Sequence, residues 1–203
     1  MAKISLDLHD GSVLRNNYEL LLRLKEHIPE LKLSLFFIPY DYEAERSQLS
    51  LQRKNKLKIL KENLDWIKLY PHGVMHIPRE FEKADRIATE LSLRAIDEAM
   101  SKDELPYEKI FCAPQWLWNQ GVIDVLNENG WAGATDRNQP NMLKTKKNYV
   151  YTHSIDEDFS KVKTDLALHG HMGYPSANNL DDNIVNLLNI PKGDWVFIDE
   201  FVK

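Results

Sequence analysis

The chain has 203 residues, which suffices for one domain with its own core, and residues 1–203 are treated as a single domain. An apolar fraction of 43% and a charged fraction of 28% are ordinary for a globular protein. The net charge of −5 argues against nucleic acid as the partner, because phosphate groups are bound by basic surfaces.

Compartment and membrane association follow from the same composition. Cys112 is the one cysteine, so no disulfide forms within the chain and nothing requires an oxidising compartment. No apolar run is long enough to cross a membrane, and the first residues lack the pattern of a signal peptide. We therefore expect a cytoplasmic protein with no membrane partner; the sequence carries no signal for its oligomeric state.

Strand and helix patterns alternate along the chain. Period-two or continuous apolar runs predict strands, and apolar stripes of helical period predict helices. The predicted strands cover residues 3–8, 33–38, 66–70, 110–111, 131–135, 149–153, 165–168 and 195–202. The predicted helices cover residues 17–27, 56–65, 81–100, 121–129 and 181–190. Repeated strand–helix units favour parallel strands with helices outside, either as an open sheet or as a barrel.

Chemically active side chains fall at the ends of the predicted strands. Asp10, His72, Pro114, Asp136 and His169 each lie at or just after the end of a different strand. Barrel enzymes place their sites on the rim formed by the carboxyl ends of the strands. We therefore predict a small, irregular barrel of the (β/α)7 type.

The segment His72-Gly-Val-Met-His76 offers two imidazoles four residues apart. On a helical turn such residues share a face, so both could reach one ion. Gly73 gives the backbone room to turn after the strand. The alternative interpretation is that His72 ends a strand and His76 is merely an exposed helical residue.

Asp10 is the natural third ligand, although an Asp-Gly pair is also common in turns without chemistry. In an extended strand Asp7 and His9 project to one side and Asp10 to the other. Asp10 could thus bind a cation while His9, oriented by Asp7, acts as a base. Two nitrogens and one oxygen favour Zn²⁺, with Fe, Co and Ni as alternatives.

Four segments in order resemble the motifs of the polysaccharide deacetylase superfamily, whose domain is called NodB-homologous. The first is LHDG at residues 8–11, and the second is HGVMH at residues 72–76. FCAPQW at residues 111–116 and LALHGH at residues 166–171 resemble the third motif and the Leu-His motif. The chain is most similar to a divergent branch whose first motif reads His-Asp. The resemblance implies an irregular barrel of the deacetylase fold.

The resemblance also implies roles for individual residues. Asp10, His72 and His76 would bind the metal, and His169 would be the general acid that protonates the leaving amine. The backbone N–H of Gln115 would help to hold the oxyanion. Two positions depart from the family pattern: His9 stands where the family has an aspartate base, and Cys112 replaces the arginine that pairs with that base.

Further residues could line a substrate cleft. Trp116 and Trp118 are two apart, and in an extended segment both could stack on a sugar ring; the alternative is that each anchors the core. Pro114 and His171 lie at the same predicted rim, and His171 is a second candidate for the acid.

The resulting hypothesis is a metal-dependent hydrolase of carbon–nitrogen bonds other than peptide bonds, which deacetylates an N-acetylated sugar or a related amide. A second hypothesis is a catalytically impaired protein of the same fold that binds a glycan or a partner. A third is a different metal-dependent barrel that holds a second ion with His153 or Asp136.

Overall fold

The computed structural model describes residues 2–13, 18–40, 50–137, 143–159, 162, 164–173 and 177–201. The strands are β1 (Lys3–Gly11), β2 (Leu33–Phe37), β3 (Ile67–Pro71), β4 (Ile110–Phe111), β5 (Ala132–Thr135), β6 (Asn148–Val150), β7 (His153–Ser154), β8 (Leu166–His171) and β9 (Asp194–Trp195). The helices are α1 (Tyr18–His27), α2 (Ser50–Lys61), α3 (Arg86–Lys102), α4 (Gln120–Glu128) and α5 (Leu180–Leu188). Pro114–Trp116 and Ile198–Glu200 form short 3-10 helices.

The strands lie side by side in nearly their chain order, and every pair is parallel. One sheet runs β3-β2-β1-β8-β7 with β9 beside β1, and the other runs β4-β5-β6. A bridge between His72 and Cys112 joins the ends of β3 and β4. Only Tyr151 and Thr152 separate β6 from β7, so the chain itself links the sheets on the other side. The α/β architecture is confirmed: within the described residues, parallel strands are divided between a sheet of six and a sheet of three.

The alternation along β1 separates an outer core from an inner one. Ile4, Leu6 and Leu8 belong to the large cluster that also contains apolar residues of the helices. The intervening residues face the inner cluster: the Ser5 hydroxyl lies 3.1 Å from Tyr149 Oη, and His9 contacts Phe36. The inner cluster is formed by Phe36, Tyr70, Ile110, Cys112, Ala132, Ala134, Tyr149, Tyr151, Ala167 and Ile198. Both faces of the central strands are therefore buried, as in a barrel.

The last described segment closes the amino end of the inner core. Asp199 accepts hydrogen bonds from Tyr70 Oη at 3.0 Å and from Lys68 Nζ at 2.8 Å. The Ile198 N–H donates to Ser34 Oγ at 2.9 Å. The predicted strand over residues 195–202 is wrong for residues 196–201, and residue 202 lies outside the described residues. Strand β9 pairs with β1 at Lys3 and Ile4, and from Leu6 onward β1 pairs with β2 instead. Strand β9 therefore ends after two residues.

Helix α3 begins five residues later than the pattern predicts. Asp85 is the N-cap, and its carboxylate accepts a hydrogen bond from the Ala88 N–H at 2.8 Å. Phe81 instead forms a bridge with Trp118 and is buried. Among the described residues, none of the helices combines the length and the apolar character that crossing a bilayer requires.

Candidate metal centre

Asp10 reaches the carboxyl rim through an irregular strand end. The pairing of β1 with β2 shifts register between Leu8 and Gly11, and Asp10 has a φ of 60°. This left-handed conformation is costly for most side chains, and aspartate is among the few that adopt it. The turn brings the Asp10 carboxylate to the histidines that follow β3, although simple alternation would have directed it outward.

Three predicted metal ligands come together at this point. Asp10 Oδ1 lies 3.3 Å from His72 Nε2 and 3.0 Å from His76 Nε2. One ligand atom of each residue lies within 4.8 Å of those of the other two. His72 is buried, whereas Asp10 and His76 remain partly accessible. The set has one protected side and one open side, which is the form of a catalytic cation site.

The orientation of His72 shows why this cluster suits a cation. Its Nδ1 lies 3.1 Å from the carbonyl oxygen of Cys112, which can only accept, so Nδ1 carries the proton and Nε2 presents a lone pair. That lone pair faces Asp10 Oδ1, a buried oxygen with no hydrogen-bond partner among the described residues. Two acceptors pointing at each other repel unless a positive charge lies between them. The residues present therefore fit a divalent cation.

The pKa shifts of Asp10 and His72 also suit a cation site. Burial alone would raise the pKa of the Asp10 carboxyl, but the adjacent His72 and His76 outweigh it and hold this pKa well below the ordinary value. Burial lowers the pKa of His72, outweighing the opposite effect of Asp10. The low pKa of Asp10 keeps it an anion, and that of His72 favours the neutral imidazole that a metal requires.

His76 is held by a loop and not by the helical turn that its spacing suggested. His76 has a φ of 56°, and residues 73–76 form no helix. The carboxylate of Glu80 accepts hydrogen bonds from the backbone N–H groups of Val74 at 3.0 Å, Met75 at 3.2 Å and His76 at 3.2 Å. Glu80 therefore fixes the ligand loop, a role that sequence reasoning missed. Its only signal in the sequence is an acidic residue four positions after His76.

Gly73 is required by this loop. It has a φ of 67°, and a Cβ atom there would lie 2.5 Å from Glu80 Oε2 and 2.7 Å from Pro114 Cγ. Pro114, predicted as a rim residue, is buried and contacts this position. Its place in the structure is that of a packing residue beneath the ligand loop.

His9 lies beside the predicted metal ligands, at the centre of an aromatic cluster. It is 1% exposed, and its ring centroid lies 4.5 Å from that of His72. Its Nε2 lies 2.6 Å from Tyr151 Oη and 3.8 Å from Asp7 Oδ2. Burial, followed by the nearby charge of His169 and His72, lowers the pKa of His9 well below its ordinary value. Tyr151 is a second residue that sequence reasoning missed, because it resembles any apolar strand residue.

Asp7 and His169 form a buried pair below His9. They face each other in the β1–β8 register, and Asp7 Oδ1 lies 3.9 Å from His169 Nδ1. Neither atom has a hydrogen-bond partner within the described part of the chain. Burial raises the pKa of Asp7 well above its ordinary value and lowers that of His169 well below its own. His171 lies farther out, with Nδ1 2.8 Å from Asn178 Oδ1.

The third motif does not form the extended segment that would align the two tryptophans. Gln115 and Trp116 both have positive φ values, of 57° and 60°, within a 3-10 turn. Trp116 consequently covers His9 and His169, with ring centroids 5.0 Å and 5.4 Å away. Trp118 is 7% exposed and its indole N–H donates to the Leu143 carbonyl, so it lies in the outer core and not at the cleft. Gln115 is exposed beside the ligand loop, where its Oε1 accepts from the Arg79 N–H.

The alternative residues for a second ion do not join any cluster. His153 and Asp136 belong to none of the groups of metal-ligating side chains found among the described residues. His153 Nδ1 lies 2.9 Å from Thr152 Oγ1 instead.

The chain matches no protein-family model, and a search of curated proteins also returns no match. Solved structures do match. A peptidoglycan N-acetylglucosamine deacetylase is 14% identical, with a TM-score of 0.63 over 98% of this chain and 86% of that one. A family 4 acetyl xylan esterase from Clostridium thermocellum, in complex with a cobalt ion, is 11% identical, with a TM-score of 0.60 over 98% and 89%.

A third match is a pseudoenzyme of carbohydrate esterase family 4 from Bacillus anthracis. It is 13% identical, with a TM-score of 0.60 over 98% of this chain and 64% of that one. These similarities show that the chain has the polysaccharide deacetylase fold found in family 4 carbohydrate esterases. The resemblance noted in the sequence is thus confirmed at the level of the fold.

Proposed function

We propose that this chain is a metal-dependent hydrolase of carbon–nitrogen bonds other than peptide bonds, which removes acetyl groups from an N-acetylated sugar or a related amide. One observation carries the proposal: Asp10 Oδ1 lies 3.3 Å from His72 Nε2 and 3.0 Å from His76 Nε2, and the Cys112 carbonyl leaves the lone pair of His72 Nε2 facing Asp10. We propose Zn²⁺ as the cation, because the donor set is two imidazoles and one carboxylate. The neighbour with a bound cobalt ion supports a divalent metal in this fold.

When bound, such a cation polarises a carbonyl group and lowers the pKa of water. His9 would accept the proton as water attacks, because it adjoins His72 and its Nε2 is already committed to Tyr151, which leaves Nδ1 available. Tyr151 would hold the ring and stabilise the imidazolium that forms. The neutral His9 imidazole replaces an aspartate, so no cationic partner is needed where Cys112 stands.

The leaving amine needs a proton in the second half of the reaction. His169 would donate it, and the adjoining carboxyl group of Asp7, 3.9 Å from His169 Nδ1, would orient its ring. The backbone N–H of Gln115 would help to hold the oxyanion, and Trp116, which covers both imidazoles, would stack on the substrate. His171, beside His169, would contact the substrate.

A second candidate function is non-catalytic glycan or partner binding by a protein that keeps the fold. His9 and Cys112 in place of the residues usual at these positions favour it, as does the pseudoenzyme among the structural neighbours. In this case the cation would be structural, and Trp116 would be the main contact to a sugar ring.

Metal analysis combined with an acetate-release assay on N-acetylhexosamine substrates tests the proposal. We expect Zn²⁺ at the site formed by Asp10, His72 and His76 and turnover in the wild type, and loss of this ion and of turnover in Asp10→Asn. Asp124→Asn is the matched control, since Asp124 is an exposed residue on α4. A metal-loaded protein without turnover on any acetylated sugar would establish the second candidate, and a protein that binds no metal would reject the first.

A further inference from the structure

The histidines of the cleft form one continuous row. Neighbouring ring centroids lie 4.7 Å apart for His76 and His72, and 4.5 Å apart for His72 and His9. The row continues at 4.5 Å from His9 to His169 and at 4.8 Å from His169 to His171. The metal centre formed with Asp10 uses only the first two imidazoles. The other three stand together next to it.

We propose that His9, His169 and His171 form a second cation site, selective for nitrogen-preferring ions such as Zn²⁺, Co²⁺ and Ni²⁺. One ring nitrogen of each residue lies within 4.8 Å of those of the other two. Three imidazoles with no carboxylate suit these ions and not Mg²⁺ or Ca²⁺. Three protein ligands also leave one position of a tetrahedral ion open.

Neighbouring groups leave one nitrogen of each ring free. His171 Nδ1 donates to Asn178 Oδ1 at 2.8 Å, and the amide of Asn178 is fixed by its donation to Ser154 Oγ at 3.0 Å. His171 therefore presents Nε2 as an acceptor. Hydrogen bonds of this kind, made by the nitrogen that faces away from the ion, orient imidazoles that bind metals.

One nitrogen of each of the other two rings also faces a polar group. His9 Nε2 is engaged by Tyr151, which leaves Nδ1. His169 Nδ1 is directed at the buried carboxylate of Asp7, 3.9 Å away, which leaves Nε2. A buried carboxylate behind a histidine is the usual support for a metal-bound imidazole.

Occupancy of this site has a consequence that rests on the proposed function. A cation on His9 and His169 would engage the proposed base and the proposed acid together. The first equivalent of Zn²⁺ would then activate the protein, and a second would inhibit it. The number of bound ions can be measured without turnover. Failure of the second cation site can therefore be distinguished from failure of the proposed function.

The test is a titration of chelator-stripped protein with Co²⁺, followed by visible absorption, and with Zn²⁺, followed by calorimetry. We expect two ions in the wild type, one in His171→Ala, and one in Asp10→Asn. His27→Ala, which removes an exposed histidine of α1, should still bind two. Asn178→Ala should weaken only the second ion, by about 10- to 100-fold.

A single ion in the wild type would overturn the second site, as would two ions in His171→Ala. An unchanged affinity for the second ion in Asn178→Ala would also overturn it, and this variant serves if His171→Ala does not fold. Retention of two ions in Asp10→Asn would instead count against the first site and hence against the proposed function. In the activity assay, the Zn²⁺ concentration that inhibits by half should be at least tenfold higher for His171→Ala than for the wild type. Inhibition of each protein is measured relative to its own rate with one equivalent of Zn²⁺.

Discussion

The hydroxyl oxygen of Tyr151 lies 2.6 Å from Nε2 of His9, and both residues are buried in the inner core. Tyr151 comes from the short segment between β6 and β7, whereas His9 is on β1. The hydrogen bond fixes the ring of His9 beside His72. It also commits one nitrogen of His9, so that the other is available for a proton or a cation.

Tyr151→Phe should lower kcat for deacetylation by about 10- to 100-fold with little change in KM. A hydrogen bond to a charged group contributes about 1.5–3 kcal/mol, and this one becomes charge-assisted when His9 takes a proton. The ring remains, so the fold and the metal content should not change. Steady-state acetate release measures the effect. Tyr107→Phe is the control, because its hydroxyl bonds Asp97 far from the cleft, and equal losses in both variants would contradict the prediction.

Glu80→Ala should weaken Zn²⁺ binding by about 10- to 100-fold and destabilise the fold by about 2–4 kcal/mol. The change leaves three backbone N–H groups of the ligand loop without their carboxylate and frees His76 to move. Competition with a chromophoric chelator measures affinity, and urea unfolding measures stability. Glu90→Ala, which removes a surface ion pair with Arg86, should change neither quantity measurably. Wild-type affinity in Glu80→Ala would show that the loop does not need this residue.

Gly73→Ala and Gly130→Ala should destabilise the chain to different extents. Both glycines have positive φ, so each alanine bears a backbone cost of about 1–2 kcal/mol. A Cβ atom at Gly130 meets nothing within 4 Å, whereas at Gly73 it collides with Glu80 and Pro114. Gly73→Ala should therefore cost about 1–3 kcal/mol more and weaken metal binding. Urea unfolding of the two variants side by side measures the difference, and equal losses would refute the steric argument.

The stability of the metal-free protein should fall as the pH falls below about 6.5, and His169 should contribute. Burial lowers the pKa of His169, so below about pH 6.5 the unfolded chain binds a proton that the folded chain does not. Each such group costs up to about 1.4 kcal/mol per pH unit. His169→Gln should flatten the dependence between pH 6 and 5 by about this amount. Urea unfolding at each pH in the presence of a chelator gives both slopes, and identical slopes would contradict the assignment.

Asp7 should affect the pH dependence of stability in the direction opposite to His169. Burial raises the pKa of Asp7, so above about pH 4 the unfolded chain releases a proton that the folded chain retains. This contribution favours folding at low pH and is lost as the pH rises through the folded pKa. Asp7→Asn removes the compensation and should steepen the loss of stability between pH 6 and 5, by up to about 1.4 kcal/mol per pH unit. A shallower slope in this variant would mean that the folded chain does not retain the Asp7 proton.

The sequence predicted the parts of the molecule that depend on regular patterns. Alternation in β1 correctly separates Ile4, Leu6 and Leu8 from Asp7 and His9, because period two is a property of any extended strand. The order of the strand–helix units correctly predicted a parallel α/β fold. These inferences need only local spacing and burial.

Irregular backbone explains what the sequence did not predict. Asp10, His76 and Trp116 all have positive φ, and no spacing rule anticipates residues other than glycine in that conformation. The helical turn predicted for His72 and His76 is a loop instead, and its stability comes from Glu80. Trp116 and Trp118, expected on one side, point to different cores because a 3-10 turn lies between β4 and Trp118.

The two sheets contribute unequally to the cleft. Asp10 lies at the end of β1, and His72 and His76 follow β3, both strands of the larger sheet. Trp116 instead lies beyond β4 of the smaller sheet, and Tyr151 lies where the chain passes between the two sheets. Because the Cys112 carbonyl, at the end of β4, orients His72, a displacement of the smaller sheet would disturb this imidazole together with the contacts of His9 to Tyr151 and Trp116. Substitutions remote from the rim that loosen the contact between the two sheets should therefore weaken cation binding and slow proton transfer together.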